Sequence, residues 1–523
     1  MIGSSLFITI FANLTMFLKA HEWLTNSNSA LIHFFTLAGY QFLLLTFLLS
    51  ILTAHKWSRF VICVFFLIAS FSAYFADTYG VIIDRDMLLN VSQTNFSEAV
   101  GLFSWKLVLY ILVLFVIPSA IVYKISFNKS TFTKIFLSHA LIAIISLASI
   151  GILFFSTSAF SSSFFREQKH IRVYSNPLNA LYASYQVVNK GYLSPAKEFV
   201  KIGEDASINR PTNNRKLIIM VVGETARADR FSLNGYSKDT NPLLGKETVI
   251  SLTNASSCGT STAISVPCMF SFEGKEKFDL SNFRNKENVL DVAAKAGVNV
   301  LWRNNNSSSK GVADRLPYED FSTPSKNNVC DPECRDIGML KGLDEHISKQ
   351  KTGDLLIVLH QMGSHGPSYY ERVPKNFQKF QPTCLTNQLD KCSKEQISNS
   401  YDNTILYTDY FLSEVINFLK KYDDKFETSM FYVSDHGESL GEYGMFLHGM
   451  PYSMAPKGVT NIPIIMWFGK QMISSQKLSM STFNKHRNKP ISHDHVSHTL
   501  LGMFEIETRI YKKELDLHAL GIN

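Results

Sequence analysis

The sequence is poor in cysteine and, beyond Arg166, contains no long apolar run. Only seven cysteines serve 523 residues, and none has the C-x-x-C spacing of a thiolate zinc site. There is no internal repeat and no low-complexity tract apart from a serine cluster near Phe160 to Phe165, so the fold is not an array of repeats. A strong basic excess is also missing. The net charge of +7 is modest for this length and comes partly from lysines beside apolar segments. It implies no nucleic acid, and a chain at a surface of anionic lipid needs no other explanation for it.

What the sequence does have is concentrated at its two ends. Five apolar segments fill the first third: Gly3 to Leu18, Ala30 to Thr53, Trp57 to Ala76, Leu107 to Tyr123 and Lys134 to Thr157. Most are near the roughly 20 residues that a membrane helix requires. Lys56 and Arg59 lie in the second loop and Lys124, Lys129 and Lys134 in or beside the fourth, whereas the third holds Asp77, Asp84, Asp86 and Glu98 against Arg85. Short basic loops face the cytoplasm, so the N-terminus is expected inside and the chain after the fifth span outside. The first segment lacks a basic start and a small-x-small pattern before His21, which argues against a cleaved signal.

The cysteines agree with that topology. Cys63 sits within an apolar segment, and the other six follow the last span as close pairs: Cys258 with Cys268, Cys330 with Cys334, Cys384 with Cys392. An oxidising compartment permits disulfides there, although six cysteines allow 15 connectivities and proximity alone does not choose among them. The expected organisation is a transmembrane domain at 1–157, a connector with an interfacial helix at 158–215, and an extracytoplasmic domain at 216–523.

The last part opens with KLIIMVVGE, an apolar β-branched run that stops at Gly223-Glu224, and DLLIVLH and SMFYVSDH repeat the form. VNVLW and IPIIMWF add strands, and helical stretches lie between, such as Ile397 to Lys421. Alternating strands and helices predict a mostly parallel sheet with helices on both faces, and such sheets place ligands at strand C-termini. That rule gathers Glu224, His360, Asp435 and His436 at one edge. Mixed oxygen and nitrogen donors point to a transition metal, zinc above all, since calcium prefers oxygen alone. Taken singly, a strand-end Asp caps a helix and a lone His is hydrogen-bonded in a core; three strand ends together favour the metal. In SSCGTSTAISVPC the residues leave Thr260, Ser261, Thr262 and Ser265 open as a metal-activated nucleophile, with Thr262 the preferred fourth ligand.

GETARADRFSLNGY, CGTSTAISVPCMFS, WRNNNSSSKGV, GSHGPSYY, SDHGESLGE and LHGMP, in that order, resemble the membrane phosphoethanolamine transferases, among them the lipid A enzymes and their mobile colistin-resistance relatives. The resemblance extends to the five spans, the connector and the paired cysteines. It implies a soluble domain of the alkaline phosphatase and sulfatase superfamily, with Glu224, Thr262, Asp435 and His436 holding Zn2+ and Thr262 carrying the transferred group. His365 and His448 match histidines beside that site, which the resemblance assigns to substrate or to a second zinc during turnover. A protonated imidazole there would stabilise phosphoryl oxygens or donate to the leaving group. Thr260, Asn306, Ser307 and Lys310 match substrate-contacting positions. Asn90, Thr94 and Glu98, four residues apart and so along one helix face, match a surface that meets the donor headgroup.

The implied activity is transfer of phosphoethanolamine from phosphatidylethanolamine to a lipid A phosphate, by a monomer embedded in the bacterial inner membrane with its catalytic domain in the periplasm. Alternatives remain at this stage: another acceptor such as the core or Kdo, a phosphoglycerol transferase, a sulfatase-like hydrolase, or a membrane sensor on a decayed domain. A sulfatase needs a C/S-x-P/A-x-R pattern, and CGTSTAISVP has none.

Overall fold

The computed structural model describes residues 1–25, 29–54, 57–94, 101–125, 131–191, 198–210, 214–331 and 333–522. The chain forms two compact units, Met1–Leu88 with Phe103–Tyr192, and Leu89–Leu102 with Leu193–Asn523.

The first unit is helical. Helices α1 (Ile2–Phe11) and α2 (Leu14–Leu24) meet at 63°, and α3 (Ala30–Leu52), α4 (Ser58–Tyr79), α6 (Trp105–Lys124), α7 (Phe132–Ser156), α8 (Ser158–Glu167) and α9 (Leu178–Gly191) follow; the short α5 (Arg85–Gln93), before α6, counts with the second unit from Leu89 on. Four of these are long and apolar enough to cross a membrane, or five spans if the bent pair counts as one. The expected unbroken first segment is therefore corrected: it breaks at Ala12 and Asn13. The cause is a buried polar knot. Asn13 Nδ2 donates to Ile8 O (3.0 Å) and Asn176 O (3.0 Å), while its Oδ1 accepts from Asn176 N (2.8 Å) and Gln41 Nε2 (3.3 Å). Gln41 Nε2 also donates to Asn176 O at 2.7 Å, and Asn176 Nδ2 to Ala12 O at 3.1 Å. An Asn that bonds nearby backbone competes with helix continuation. Just beyond the break, Asp77 Oδ1 accepts from Thr15 N (3.1 Å) and Thr15 Oγ1 (2.5 Å), serving a backbone donor in the first turn of α2.

The second unit is built on an eight-stranded sheet. In chain order its strands are β1 (Lys216–Gly223), β2 (Val249–Ser256), β3 (Asn299–Asn304), β4 (Tyr318–Asp320), β5 (Leu355–His360), β6 (Glu427–Ser434), β9 (Asn461–Phe468) and β10 (Ile491–Ser492), arranged as β10-β2-β9-β6-β1-β5-β3-β4. A separate hairpin, β7 (Ser439–Leu440) with β8 (Phe446–Leu447), precedes β9. All neighbours in the large sheet run parallel except β9, which is antiparallel to both β2 and β6, so the sheet is mixed. All eight residues of β1 are buried, as a central strand covered on both faces requires. Helix α10 (Thr262–Met269) follows β2, and α11 (Lys394–Lys420) starts at a capping box in which Ser393 and Gln396 exchange side-chain and backbone bonds. Three disulfides, Cys258–Cys268, Cys330–Cys334 and Cys384–Cys392, brace loops of this unit.

Candidate metal centre and nucleophile

Parallel strands deliver their last residues to one edge, and two of those ends build the site. Glu224 follows β1, and Asp435 and His436 follow β6; the three are fully buried and offer ligand atoms within 4.8 Å of one another. Asp435 Oδ1 accepts from Thr225 N (3.1 Å) and His436 N (2.7 Å). Its Oδ2 accepts no hydrogen bond despite burial, and faces His436 Nε2 at 3.3 Å. A buried carboxylate oxygen without a donor is costly unless a cation meets it. The His436 ring is fixed by Nδ1–H donating to Gly437 O at 2.8 Å, which leaves the Nε2 lone pair turned to the carboxylates. Burial pushes His436 down to about 4, against the pull of Asp435, so the ring is neutral and free to ligate at pH 7.

The fourth donor comes from the first turn of α10. Thr262 Oγ1 lies 3.3 and 3.2 Å from the two Glu224 oxygens and 3.4 Å from His436 Nε2. The other hydroxyls of the loop are turned elsewhere: Thr260 Oγ1 donates to Met450 O (2.6 Å), Ser265 Oγ accepts from Gly259 N (2.9 Å), and Ser261 Oγ carries no hydrogen bond. Three oxygens and one imidazole nitrogen form a donor set suited to tetrahedral zinc. At the start of a helix, Thr262 also sits where the aligned backbone dipoles favour negative charge.

Around this cluster, His448 lies with its ring centre 4.5 Å from that of His436 and 5.2 Å from that of His365. Burial, then His448 and Arg372, push His365 well below the usual imidazole range. His365 is therefore neutral in this state, unlike the cationic form expected of it. Asn306 Nδ2 donates to Glu224 Oε2 and to Gln361 O, both at 2.8 Å, so Asn306 orients a metal-site carboxylate. Its Oδ1 accepts from Ser307 N at 2.6 Å. Lys310, in the left-handed region at φ 53°, donates from Nζ to Ser307 Oγ (2.6 Å) and Gln93 O (3.4 Å).

His360 is not in the cluster. The last residue of β5, it pairs Nδ1 with Asn304 Oδ1 at 3.0 Å and packs at 5.5 Å from the Trp302 ring, a core histidine that burial holds at about 3. Asn90 lies in α5, but that helix ends at Gln93; Thr94 follows it and donates to Asn90 O at 3.0 Å. Glu98 lies outside the described residues. Two residues of the site escaped the sequence reading. Glu438 Oε1 pairs with His448 Nδ1 at 3.0 Å, and Arg227 Nη1 donates to Glu438 O (3.0 Å) and Glu442 Oε1 (2.6 Å). Both stand inside quoted motifs, GETARADR and SDHGESLGE, but carry no chemistry until the hairpin is folded.

The chain matches the Sulfatase family over residues 216–506 and the family "Phosphoethanolamine transferase EptA/EptB" over 41–192. It is 38% identical over 515 residues to "Phosphatidylethanolamine transferase Mcr-1" of Escherichia coli, covering 96% of this chain and 94% of that protein. To "Phosphoethanolamine transferase EptA" of Escherichia coli K12 it is 38% identical over 476 residues, covering 89% of this chain and 86% of the relative. Its structure superposes on the integral membrane lipooligosaccharide phosphoethanolamine transferase A of Neisseria meningitidis with a TM-score of 0.94 at 34% identity, covering 99% of this chain and 98% of that one. On this breadth of likeness, spanning the helical unit as well as the sheet, the chain belongs to the phosphoethanolamine transferase family.

Proposed function

We propose that this protein moves phosphoethanolamine from phosphatidylethanolamine to a phosphate of lipid A through a covalent adduct on Thr262. The observation that carries the reading is the Thr262 hydroxyl at 3.2–3.4 Å from Glu224 and His436, beside a buried Asp435 oxygen that lacks a donor. Glu224, Thr262, Asp435 and His436 would hold one zinc, which, when bound, lowers the cost of negative charge on the threonine oxygen and on the phosphoryl group. A second ion during turnover would fall to His365 and His448.

The rest is done by this chain's own side chains. The Thr262 hydroxyl, directed at Glu224, passes its proton to a Glu224 oxygen as its own oxygen bonds to phosphorus, and the bond from phosphorus to the diacylglycerol oxygen breaks. His448, its Nδ1 fixed by Glu438, enters this step protonated, gives the proton on its other nitrogen to the departing alcohol and is left neutral. A lipid A phosphate oxygen then bonds to the same phosphorus, the bond to Thr262 breaks, the threonine oxygen recovers its proton from Glu224, and the proton lost by the acceptor phosphate returns to His448. Lys310, Asn306, Ser307 and Thr260 line the phosphate side, and Asn90, Thr94 and Glu98 receive the ethanolamine end. The acceptor gains an ammonium group, so its net negative charge falls and cationic peptides such as polymyxins bind it less.

The finer organisation belongs to the same proposal: five spans over 1–157, a connector over 158–215 with an interfacial helix, a periplasmic domain over 216–523 whose sheet carries helices on both faces, and a monomer in the inner membrane. Mass spectrometry of lipid A from cells expressing the protein tests the activity. A mass increase of one phosphoethanolamine is expected, and unmodified lipid A would overturn the acceptor. A reporter fused after residue 523 should work only if it functions in the periplasm; activity of a cytoplasm-only reporter there would overturn the topology.

A further inference from the structure

We propose that His493 is a positioning residue of the transfer reaction, a crosspiece that holds the Thr262 loop at reacting distance from the Asp435–His436 strand end. This rests on the proposed function. The residue stands in the first turn after edge strand β10. Its Nδ1 accepts from Cys258 N at 3.0 Å, and its Nε2 lies 2.9 Å from Ser434 O. A backbone N–H can only donate, so Nδ1 is the acceptor and Nε2 carries the proton that Ser434 O receives. One neutral ring thus joins the loop four residues before Thr262 to the residue directly before Asp435.

The sheet explains why a side chain is needed there. Strands β2 and β6 are separated by β9, hence by about 10 Å at two strand spacings. Strand β9 itself joins neither Cys258 nor Ser434; just before it, Thr460 O accepts from Ser257 N (2.8 Å) and Val459 O from Gly437 N (2.7 Å). Its pairing with β2 shifts register between Ile462 and Ile464, around Pro463, which has no N–H to give. Its pairing with β6 reaches only Ile464 opposite Val433, so Ser434 lies past the last paired residue on that side. Cys258 likewise lies beyond Ser256, the last residue of β2 paired to β9. Ser434 stays paired on its other side to Gly223 of β1, so what the ladder leaves open is the span between Ser434 and Cys258, and the imidazole of His493 bridges that span directly. The Cys258–Cys268 disulfide closes the Thr262 loop on itself but makes no link to β6.

The test uses full-length protein in detergent: wild type, His493→Ala, His493→Leu and His493→Gln, each supplied with zinc and phosphatidylethanolamine but no acceptor, with the rate of adduct formation on Thr262 read by mass spectrometry. Misplacing reacting atoms by about 1 Å costs on the order of 100-fold, so Ala and Leu should slow adduct formation by about that factor. The KM for the donor and the zinc content should stay at wild-type values, because neither headgroup contacts nor ligands change. Glutamine has an acceptor and a donor on one rigid amide, and should recover about tenfold of the loss. Wild-type speed in His493→Ala, no gain of Gln over Leu, a loss that tracks zinc content, or failure of both Ala and Leu to fold would each overturn the proposal. If wild type itself forms no adduct, the function reading falls instead.

Discussion

The two units use the same apolar residues under opposite solvents. In the helical unit the most apolar stretches are the least covered: within the Thr133–Ser156 span only 11% of the most apolar window is buried. In the sheet unit every residue of KLIIMVVG is buried. A helix apolar on all sides is stable only if something apolar surrounds it, whereas a buried strand carries its surroundings within the fold. The polar groups invert as well. The helical unit buries amides, Asn13, Gln41 and Asn176, that satisfy one another, while the sheet unit buries charges, Glu224 and Asp435, with one oxygen left without a donor. The satisfied set is architecture and the unsatisfied set is a site.

The sharpest way to break that contrast is to remove a charge from the sheet unit. Asp435→Ala or His436→Ala should lower transfer by about 1,000-fold or more and deplete zinc, checked by elemental analysis and by lipid mass. Full turnover by verified metal-free protein would end the zinc mechanism. Next comes the nucleophile. Thr262→Ala should abolish the phosphoethanolamine adduct, whereas Thr260→Ala and Ser261→Ala should keep it. Thr262→Ser keeps the oxygen and loses the methyl that restricts its rotamer, so partial activity is expected. An undiminished adduct in Thr262→Ala would place the nucleophile elsewhere.

The helical unit should respond in stability rather than chemistry. Gln41→Leu removes one of the two donors to each of Asn176 O and Asn13 Oδ1, and the loss of a buried hydrogen bond costs about 0.5–1.5 kcal/mol. The unfolding midpoint in detergent should fall, with the turnover of folded molecules unchanged. A loss of turnover at unchanged stability would dissolve the division between architecture and site.

The smallest effect is on pH, from two histidines remote from the metal centre. Burial pushes His518 down to about 3 and His498 to about 4. Each stays neutral in the folded protein while the unfolded chain binds a proton below about 6.5, so the unfolded state takes up more protons as pH falls. Stability present above pH 6.5 is lost between there and pH 4. The melting temperature should drop by about 5 °C from pH 7 to pH 5, and less in His518→Gln. A flat profile in wild type would show that the two rings titrate alike folded and unfolded.

Much of this was legible in the sequence because it is local. The runs ending at Glu224 and Asp435 announce strands and their polar ends, and the stretch from Ile397 to Lys421 announces the body of α11, though not its start at Lys394. What was not legible depends on distant partners. No residue near Asn13 signals that a helix should break there, since the reason is Asn176. IPIIMWF reads as a strand, but nothing in it gives its direction, and β9 runs against its neighbours. His360 and His436 both stand at strand ends; only the sheet order shows that Asn304 takes one while the carboxylates take the other. His493 belongs to the same class, because its two partners lie 235 and 59 residues away in the chain.

The knot at Asn13 also sets a schedule for assembly. Its partner Asn176 comes 163 residues later in the chain, which at about 5–20 residues per second of synthesis is roughly 8–30 s of waiting. During that interval the first helices enter the bilayer with Asn13 and Gln41 still lacking the backbone groups of Asn176 that they will bind. The helical unit therefore closes last-to-first: insertion begins at the N-terminus, but the bend between α1 and α2 becomes permanent only when the segment beyond the final apolar helix has been made.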